Sequence, residues 1–208
     1  MYKALVVDDH PFIRATVKML LAQEGFEVVG EADNGVEAVQ MARELSPELI
    51  LLDISMSLLD GIEVINRLVA LKLSTRILVL TSQTPEIYAE RCLRAGASGY
   101  LSKTEDLGEL VRGVHAVMAG QKFFPFLASS SVRGIDNQAT DLQLIERLSN
   151  RELTILKQLA LGKSNNEIAD QMLLSNKTIS TYKTRVLEKL SLTSVVYIAE
   201  FAKRNHLV

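Results

Sequence analysis

The chain has 208 residues, 48% of them hydrophobic and 23% charged, a balance ordinary for a soluble globular protein and enough for one large domain or two small ones. No apolar run reaches membrane-spanning length, and the Met-Tyr-Lys start lacks the basic region and apolar stretch of a signal peptide. The single cysteine, Cys92, has no disulfide partner within the chain, so a reducing cytoplasm is the expected compartment.

In chain order, residues 1–120 alternate between apolar runs and amphipathic stretches. Strands are expected at Lys3–Val7, Phe26–Ala32, Glu48–Leu52, Arg76–Leu80 and Ser98–Leu101, with helices near 11–24, 34–45, 60–70, 84–95 and 105–119. The runs 4–7, 49–52 and 77–80 are apolar without interruption, the pattern of parallel strands covered on both faces. Pro11 and Pro85 fall where a first helical turn tolerates proline, and Thr84 is placed to cap the helix that Pro85 opens. Five such β-α units predict an α/β fold, a doubly wound (βα)5 parallel sheet.

The pattern breaks near Gly120. Residues 125–141 (PFLASSSVRGIDNQATD) are rich in Ser, Gly and Asp/Asn and read as a linker, with Phe123 and Phe124 packing back on the first domain. Four helices follow, near 149–161, 164–172, 175–190 and 193–204, with no strand signal and no internal repeat. The expected division is 1–121, a linker over 122–146, and an all-α domain over 147–208. Charge divides the same way. Residues 1–120 hold 11 Lys and Arg against 17 Asp and Glu, a balance of −6; residues 121–208 hold 12 against 8, or +4. A polyanion such as DNA would prefer the second part.

Ligands of open parallel sheets bind beyond the carboxyl ends of the strands. Here the first strand stops at Asp8-Asp9, the third (LILLD) at Asp53, the fourth (ILVLT) at Thr81 and the fifth (GYLSK) at Lys103. Three clustered carboxylates repel unless a cation compensates, and Mg2+ suits a site of a few carboxylates beside a phosphate. A carboxylate can also be a nucleophile that forms an aspartyl phosphate. Asp53, alone at the end of the central apolar strand, is the expected nucleophile. Asp8 and Asp9 would hold the metal, Lys103 would pair with a phosphoryl oxygen, and Thr81 would donate a hydrogen bond to it. Each element is weak alone; their joint placement on four strand ends makes the case.

With VVDDHP, LLDISMSLLDG, VLTS and GYLSK in this order and spacing, residues 1–120 resemble the receivers of two-component response regulators. The resemblance implies Mg2+-dependent transfer of phosphate from the histidine of a sensor kinase to Asp53. It also implies direct metal contacts from Asp9, Asp53 and the backbone carbonyl of Ser55, with Asp8 acting mainly through water. Tyr100 matches the aromatic position that turns inward when Thr81 engages phosphate. Three positions depart from the family pattern: Ser57 and Thr104 replace common prolines, so the usual cis bond before the latter is in doubt, and Ser82 replaces a frequent alanine.

In the second part, Ser149…Glu152 and Ser164…Glu167 carry the capping-box pattern. The segment EIADQMLLSNKTIS gives a short helix, a tight turn and a new helix started by Ser175, a helix-turn-helix. In that second helix Ile179, Val186 and Leu190, with Leu187 beside them, form an inward stripe; Lys177, Ser180, Thr181, Thr184 and Arg185 lie largely opposite. Residues 147–205 resemble the LuxR/FixJ-type helix-turn-helix of response regulators. Carried over by position, Ser180, Thr181 and Thr184 would face bases, and Lys177, Lys183, Arg185 and Lys189 would contact phosphates. Tyr182 is left unassigned, and the helix 193–204 would be a dimer surface.

The expected whole is therefore a two-component transcription regulator, not an enzyme. Its partners would be a sensor histidine kinase and double-stranded DNA with roughly palindromic sites, bound by a homodimer formed on phosphorylation. An aspartyl-phosphate phosphatase is the competing reading, opposed by Ser55 standing where an acid-base aspartate would be. A phosphorylation-independent dimerisation module is the third, opposed by Asp8, Asp9, Asp53, Thr81 and Lys103 all being present.

Overall fold

The structure, a computed structural model, describes residues 1–56, 61–129 and 137–208. It divides into two compact units, Met1–Ser131 and Val132–Val208. Among the described residues, no helix is long and apolar enough to cross a membrane.

The first unit alternates strand and helix: β1 (Tyr2–Val7), α1 (Pro11–Gln23), β2 (Phe26–Ala32), α2 (Gly35–Leu45), β3 (Leu49–Leu52), α3 (Gly61–Ala70), β4 (Arg76–Thr81), α4 (Pro85–Ala95), β5 (Gly99–Ser102) and α5 (Leu107–Met118). The parallel strands stand in the order β2-β1-β3-β4-β5, so the winding reverses between β1 and β3. The uninterrupted apolar runs expected for a doubly covered sheet are buried: Ala4–Val7, Leu49–Leu52 and Ile77–Val79. On one face of the sheet, Val17, Leu20, Leu21, Leu110, Val114 and Val117 pack against Ala4, Val6, Leu49, Leu51, Leu78 and Leu101.

Register then decides which polar residues meet. Val7 lies opposite Leu52, Leu52 opposite Val79, and Thr81 opposite Ser102. Pairing continues past the strand ends, because Asp8 N–H donates to Ala32 O (3.1 Å), Asp53 N–H to Val7 O (2.8 Å) and Lys103 N–H to Thr81 O (2.9 Å). The backbone bonds that extend the sheet thus fix the residues just beyond it. Gly61 closes the β3-α3 connection: a Cβ there would lie 2.3 Å from Ile54 Cα, so only glycine lets the chain pass so close behind Asp53.

Two expectations change. Thr84 occupies the N-cap position of α4, but its side chain makes no cap bond there; proline at the helix start already removes one donor that a cap would serve. The segment 122–146 is not simply a linker. Phe123 N–H donates to Ser98 O (3.0 Å) and Phe123 O accepts from Tyr100 N–H (2.9 Å), extending the sheet at the open edge of β5. An unpaired edge needs partners for its backbone groups, and the chain supplies them from its own continuation. A short helix α6 (Pro125–Ser129) follows.

The second unit is helical: α7 (Asn137–Glu146), α8 (Asn150–Ala160), α9 (Asn165–Met172), α10 (Asn176–Lys189) and α11 (Val195–Arg204). Helix α7 lies inside the expected linker. Ile145 and Leu148 are buried, and Asp141 accepts from Arg204 Nε (2.7 Å) and Asn205 Nδ2 (2.9 Å). Both expected capping boxes form, Ser149 with Glu152 and Ser164 with Glu167. Ile155, Leu156, Ile168, Ile179, Val186, Ile198 and Phe201 are buried in this unit.

Candidate functional site

Asp8 (3% exposed), Asp53 (2%) and Thr81 (0%) are three of the few buried polar residues, and all three cap strands of the sheet. Lys103 spans them. Its Nζ lies 2.7 Å from Asp8 Oδ2 and 2.6 Å from Asp53 Oδ2. Burial works to lower the Lys103 ammonium, but its bonds to Asp53 and Asp8 outweigh that and hold it above the ordinary lysine value. The other Asp53 oxygen, Oδ1, accepts from Ser55 N–H (2.8 Å), and Asp8 Oδ1 accepts from His10 N–H (2.9 Å). Asp9 is exposed, its Oδ1 2.6 Å from His10 Nδ1. Ligand atoms of Asp8, Asp9, His10 and Asp53 all lie within 4.8 Å of one another. Of the predicted pocket residues, Asp8, Asp9, Asp53 and Lys103 converge directly.

Thr81 joins them through Ser55. The two hydroxyls share a hydrogen bond (2.8 Å), Gln83 Nε2 donates to Ser55 Oγ (3.1 Å), and Gln83 N–H reaches Thr81 Oγ1 at 3.4 Å. Tyr100 is turned inward and donates its hydroxyl to Gln83 O (2.6 Å); burial above all pushes that phenol up from its ordinary value. Gln83 is thus the residue that ties Thr81 to Tyr100, which the sequence reading did not single out. Nothing in its local pattern distinguishes it from a loop glutamine.

Of the three departures, Ser57 lies outside the described residues, and Ser82 is exposed. All peptide bonds among the described residues are trans, the one before Thr104 included. Thr104 N–H donates to Ser102 Oγ (3.2 Å), a bond that proline could not make.

In the second unit α9, the turn 173–175 and α10 form the expected helix-turn-helix. Ser175 caps α10 by accepting from Thr178 N–H, and Asn176 Nδ2 donates to Asn166 Oδ1 across the two helix starts. Ile179, Val186 and Leu190 are buried, while Lys177, Ser180, Thr181, Thr184 and Arg185 are exposed, as their period implies. Lys183 is half-buried. Arg185 lies over the half-buried ring of Tyr182, 5.9 Å from its centroid.

Lys189 departs from the expected outward phosphate contact. Its Nζ donates to Glu152 Oε2 (2.6 Å) and Arg147 O (3.1 Å), because Glu152 is buried (3% exposed) and needs a cation. Burial raises the Glu152 carboxyl, but the bonds from Lys189 and Ser149 outweigh it and hold the group below the ordinary glutamate value. A carboxyl lowered on folding contributes stability that is full above its unfolded value, about 4.3, and lost as pH falls through the folded one. With Lys189 partly exposed, Lys189→Met is expected to cost about 1–3 kcal/mol at neutral pH. Glu152→Gln is expected to behave similarly at neutral pH and to close much of its gap to wild type in acid. Chemical unfolding of the full chain across pH measures both.

An acidic pocket at the β1/β3 switch point, followed in the chain by a helical unit with a helix-turn-helix, defines a two-domain response regulator. Residues 4–115 match the response regulator receiver domain, and residues 146–202 match the bacterial regulatory proteins of the luxR family. The virulence-factor positive transcription regulator BvgA of Bordetella pertussis is 53% identical over 205 residues, 99% of this chain and 98% of that protein. The DNA-binding transcriptional activator EvgA of Escherichia coli K12 is 34% identical over 202 residues, 97% of this chain and 98% of that one. RcsB from Salmonella enterica serovar Typhimurium, solved bound to promoter rprA with the phosphomimetic BeF3−, superposes with a TM-score of 0.73 at 25% identity, covering 98% of this chain and 99% of that one. The chain belongs to the NarL/FixJ family of response regulators, transcription regulators with a receiver and a LuxR-type DNA-binding domain.

Proposed function

We propose that Asp53 accepts a phosphoryl group from the phosphohistidine of a sensor kinase, and that this controls pairing of the chain and promoter binding by its helix-turn-helix. The observation that carries the proposal is the buried Asp53 carboxylate, 2.6 Å from Lys103 Nζ and grouped with Asp8, Asp9 and His10. An Asp53 oxygen attacks phosphorus as the donor's N–P bond breaks, and the imidazole leaves as the neutral base after taking a proton. Lys103, already charged, moves from the carboxylates to a phosphoryl oxygen. Thr81 exchanges its bond with Ser55 for one to the phosphoryl group. Because Tyr100 is tied to Gln83, two residues beyond Thr81, that exchange is felt at the aromatic ring.

The donor set suits a divalent cation: ligand atoms of Asp8, Asp9, His10 and Asp53 lie within 4.8 Å of one another, and the carboxylate oxygens among them are the hard ligands that Mg2+ takes. Asp9, Asp53 and the Ser55 carbonyl would hold Mg2+ directly, with Asp8 acting through water, and bound Mg2+ offsets charge on the transferring group. Incubation with acetyl phosphate is expected to place one phosphoryl group per chain on Asp53, located by borohydride reduction and mass spectrometry, and only with a divalent cation present. Labelling elsewhere, or undiminished labelling under chelator, would contradict this.

For DNA, Ser180, Thr181 and Thr184 would face bases, and Lys177, Lys183 and Arg185 phosphates. Thr181 and Thr184 donate their hydroxyls to the carbonyls of Lys177 and Ser180. They would therefore offer methyl groups and acceptor oxygens, suited to thymine methyls and to the amino groups of adenine or cytosine. Lys177→Ala is expected to lower affinity evenly across sequences and to reduce the logarithmic salt slope by about one, while Lys189→Met leaves the slope unchanged. Binding titrations at several salt concentrations separate the two.

A further inference from the structure

Arg14 stands in the first turn of α1, where the helix dipole disfavours a cation, yet its side chain is only 19% exposed. Its Nη1 donates to the backbone carbonyl of Asp8 at 2.7 Å, and its Nε lies 3.6 Å from Glu31 Oε2. Glu31 also receives Lys18 Nζ at 2.6 Å, so it is anchored from a second side. The Asp8 residue is thereby gripped on every polar group: its N–H by Ala32 O, its carbonyl by Arg14, one carboxylate oxygen by His10 N–H and the other by Lys103.

The carbonyl held by Arg14 belongs to the peptide plane that joins Asp8 to Asp9. A peptide plane is rigid. Fixing its oxygen fixes its rotation about the line between the two Cα atoms, and that rotation sets where the Asp9 side chain leaves the backbone. Asp9 is exposed and extends no strand, and its carboxylate meets the His10 ring at 2.6 Å, a side chain that is itself 69% exposed and so a weak anchor beside a fixed peptide plane. Arginine suits the task because one planar fork reaches a carbonyl and a carboxylate in fixed geometry; a lysine ammonium has no such fork.

We infer that Arg14 is a positioning residue of the cation site, orienting Asp8 and Asp9 through their shared peptide without touching the cation. The inference rests on the reading that Asp8, Asp9 and Asp53 hold a divalent cation. Charge and positioning predict opposite signs. Removing a positive charge beside a cation site should by Coulomb's law alone tighten Mg2+; releasing the ligands should weaken it. Outer partners of metal ligands are typically worth 10- to 100-fold in affinity.

Calorimetric titration of Mg2+ into the full chain, with thermal unfolding followed in parallel, tests it on wild type, Arg14→Met, Arg14→Lys and Asp53→Asn. The expected result is Mg2+ bound about tenfold or more weaker by Arg14→Met, and clearly weaker by Arg14→Lys although its charge is kept. Arg14→Met binding Mg2+ as tightly as wild type, or tighter, overturns the inference. If Arg14→Met does not fold, unchanged affinity in Arg14→Lys overturns it. Failure of wild type to bind Mg2+, or equal binding by Asp53→Asn, would instead bring down the cation-site reading itself, and the inference with it.

Discussion

Asp53→Asn is expected to reduce incorporation of phosphate from acetyl phosphate to below about one-thousandth of the wild-type rate, because the substitution removes the attacking oxygen while keeping the side chain's shape. Shape matters here. Asp53 Oδ1 accepts from Ser55 N–H and Oδ2 from Lys103, and asparagine's carbonyl can keep one of those bonds. Asp8 Oδ2 still holds Lys103, so the variant should fold and the lost labelling should report chemistry, not collapse of the pocket. Mass spectrometry of the intact chain after donor treatment measures it. A phosphorylated Asp53→Asn chain would place the nucleophile elsewhere.

Lys103→Met is expected to make folding depend on magnesium. The lysine side chain is 11% exposed, and its partners Asp8 and Asp53 are 4% and 1% exposed, so solvent screens little. Removing one partner of a buried ion pair leaves uncompensated charge and typically costs about 3–5 kcal/mol. Here two neighbouring carboxylates lose their shared cation. Saturating Mg2+ should return part of that loss, about 2.7 kcal/mol at a concentration a hundredfold above its dissociation constant. Denaturant unfolding with and without Mg2+ tests this: a large magnesium response in the variant is expected, and a small loss of stability unaffected by Mg2+ would argue against carboxylates gathered around a cation.

The pocket was legible because its members stand at strand ends, where alternation of apolar runs and helices fixes position. Asp8, Asp53 and Thr81 each follow a run of three or more apolar residues, Lys103 comes directly after the short strand Gly99–Ser102, and parallel register then aligns them. The capping boxes at Ser149 and Ser164 were equally readable, since their chemistry is local. Long-range pairings were not. Helix α7 has little amphipathic character and begins in polar residues, and its place is held by Ile145, Leu148 and the bond from Arg204 to Asp141, 63 residues away. Phe123 joins the sheet because β5 has an open edge, which only the strand order reveals. The Lys189 pairing with Glu152 is hidden from the sequence for a related reason. Its period places it beside outward residues of α10, but a lysine reaches far, and Glu152, 37 positions earlier, is buried within that reach. Arg14 leaves one faint signal, a cation where the helix dipole favours an anion.

In the proposed function, phosphate on Asp53 governs how the helical unit binds DNA. Footprinting of genome-derived DNA, with and without acetyl phosphate and Mg2+, on wild type and Asp53→Asn, tests that link directly. Wild type should protect paired, roughly palindromic half-sites at markedly lower protein concentration when the donor is present, and Asp53→Asn should show no donor effect. Equal protection by wild type with and without donor would contradict it.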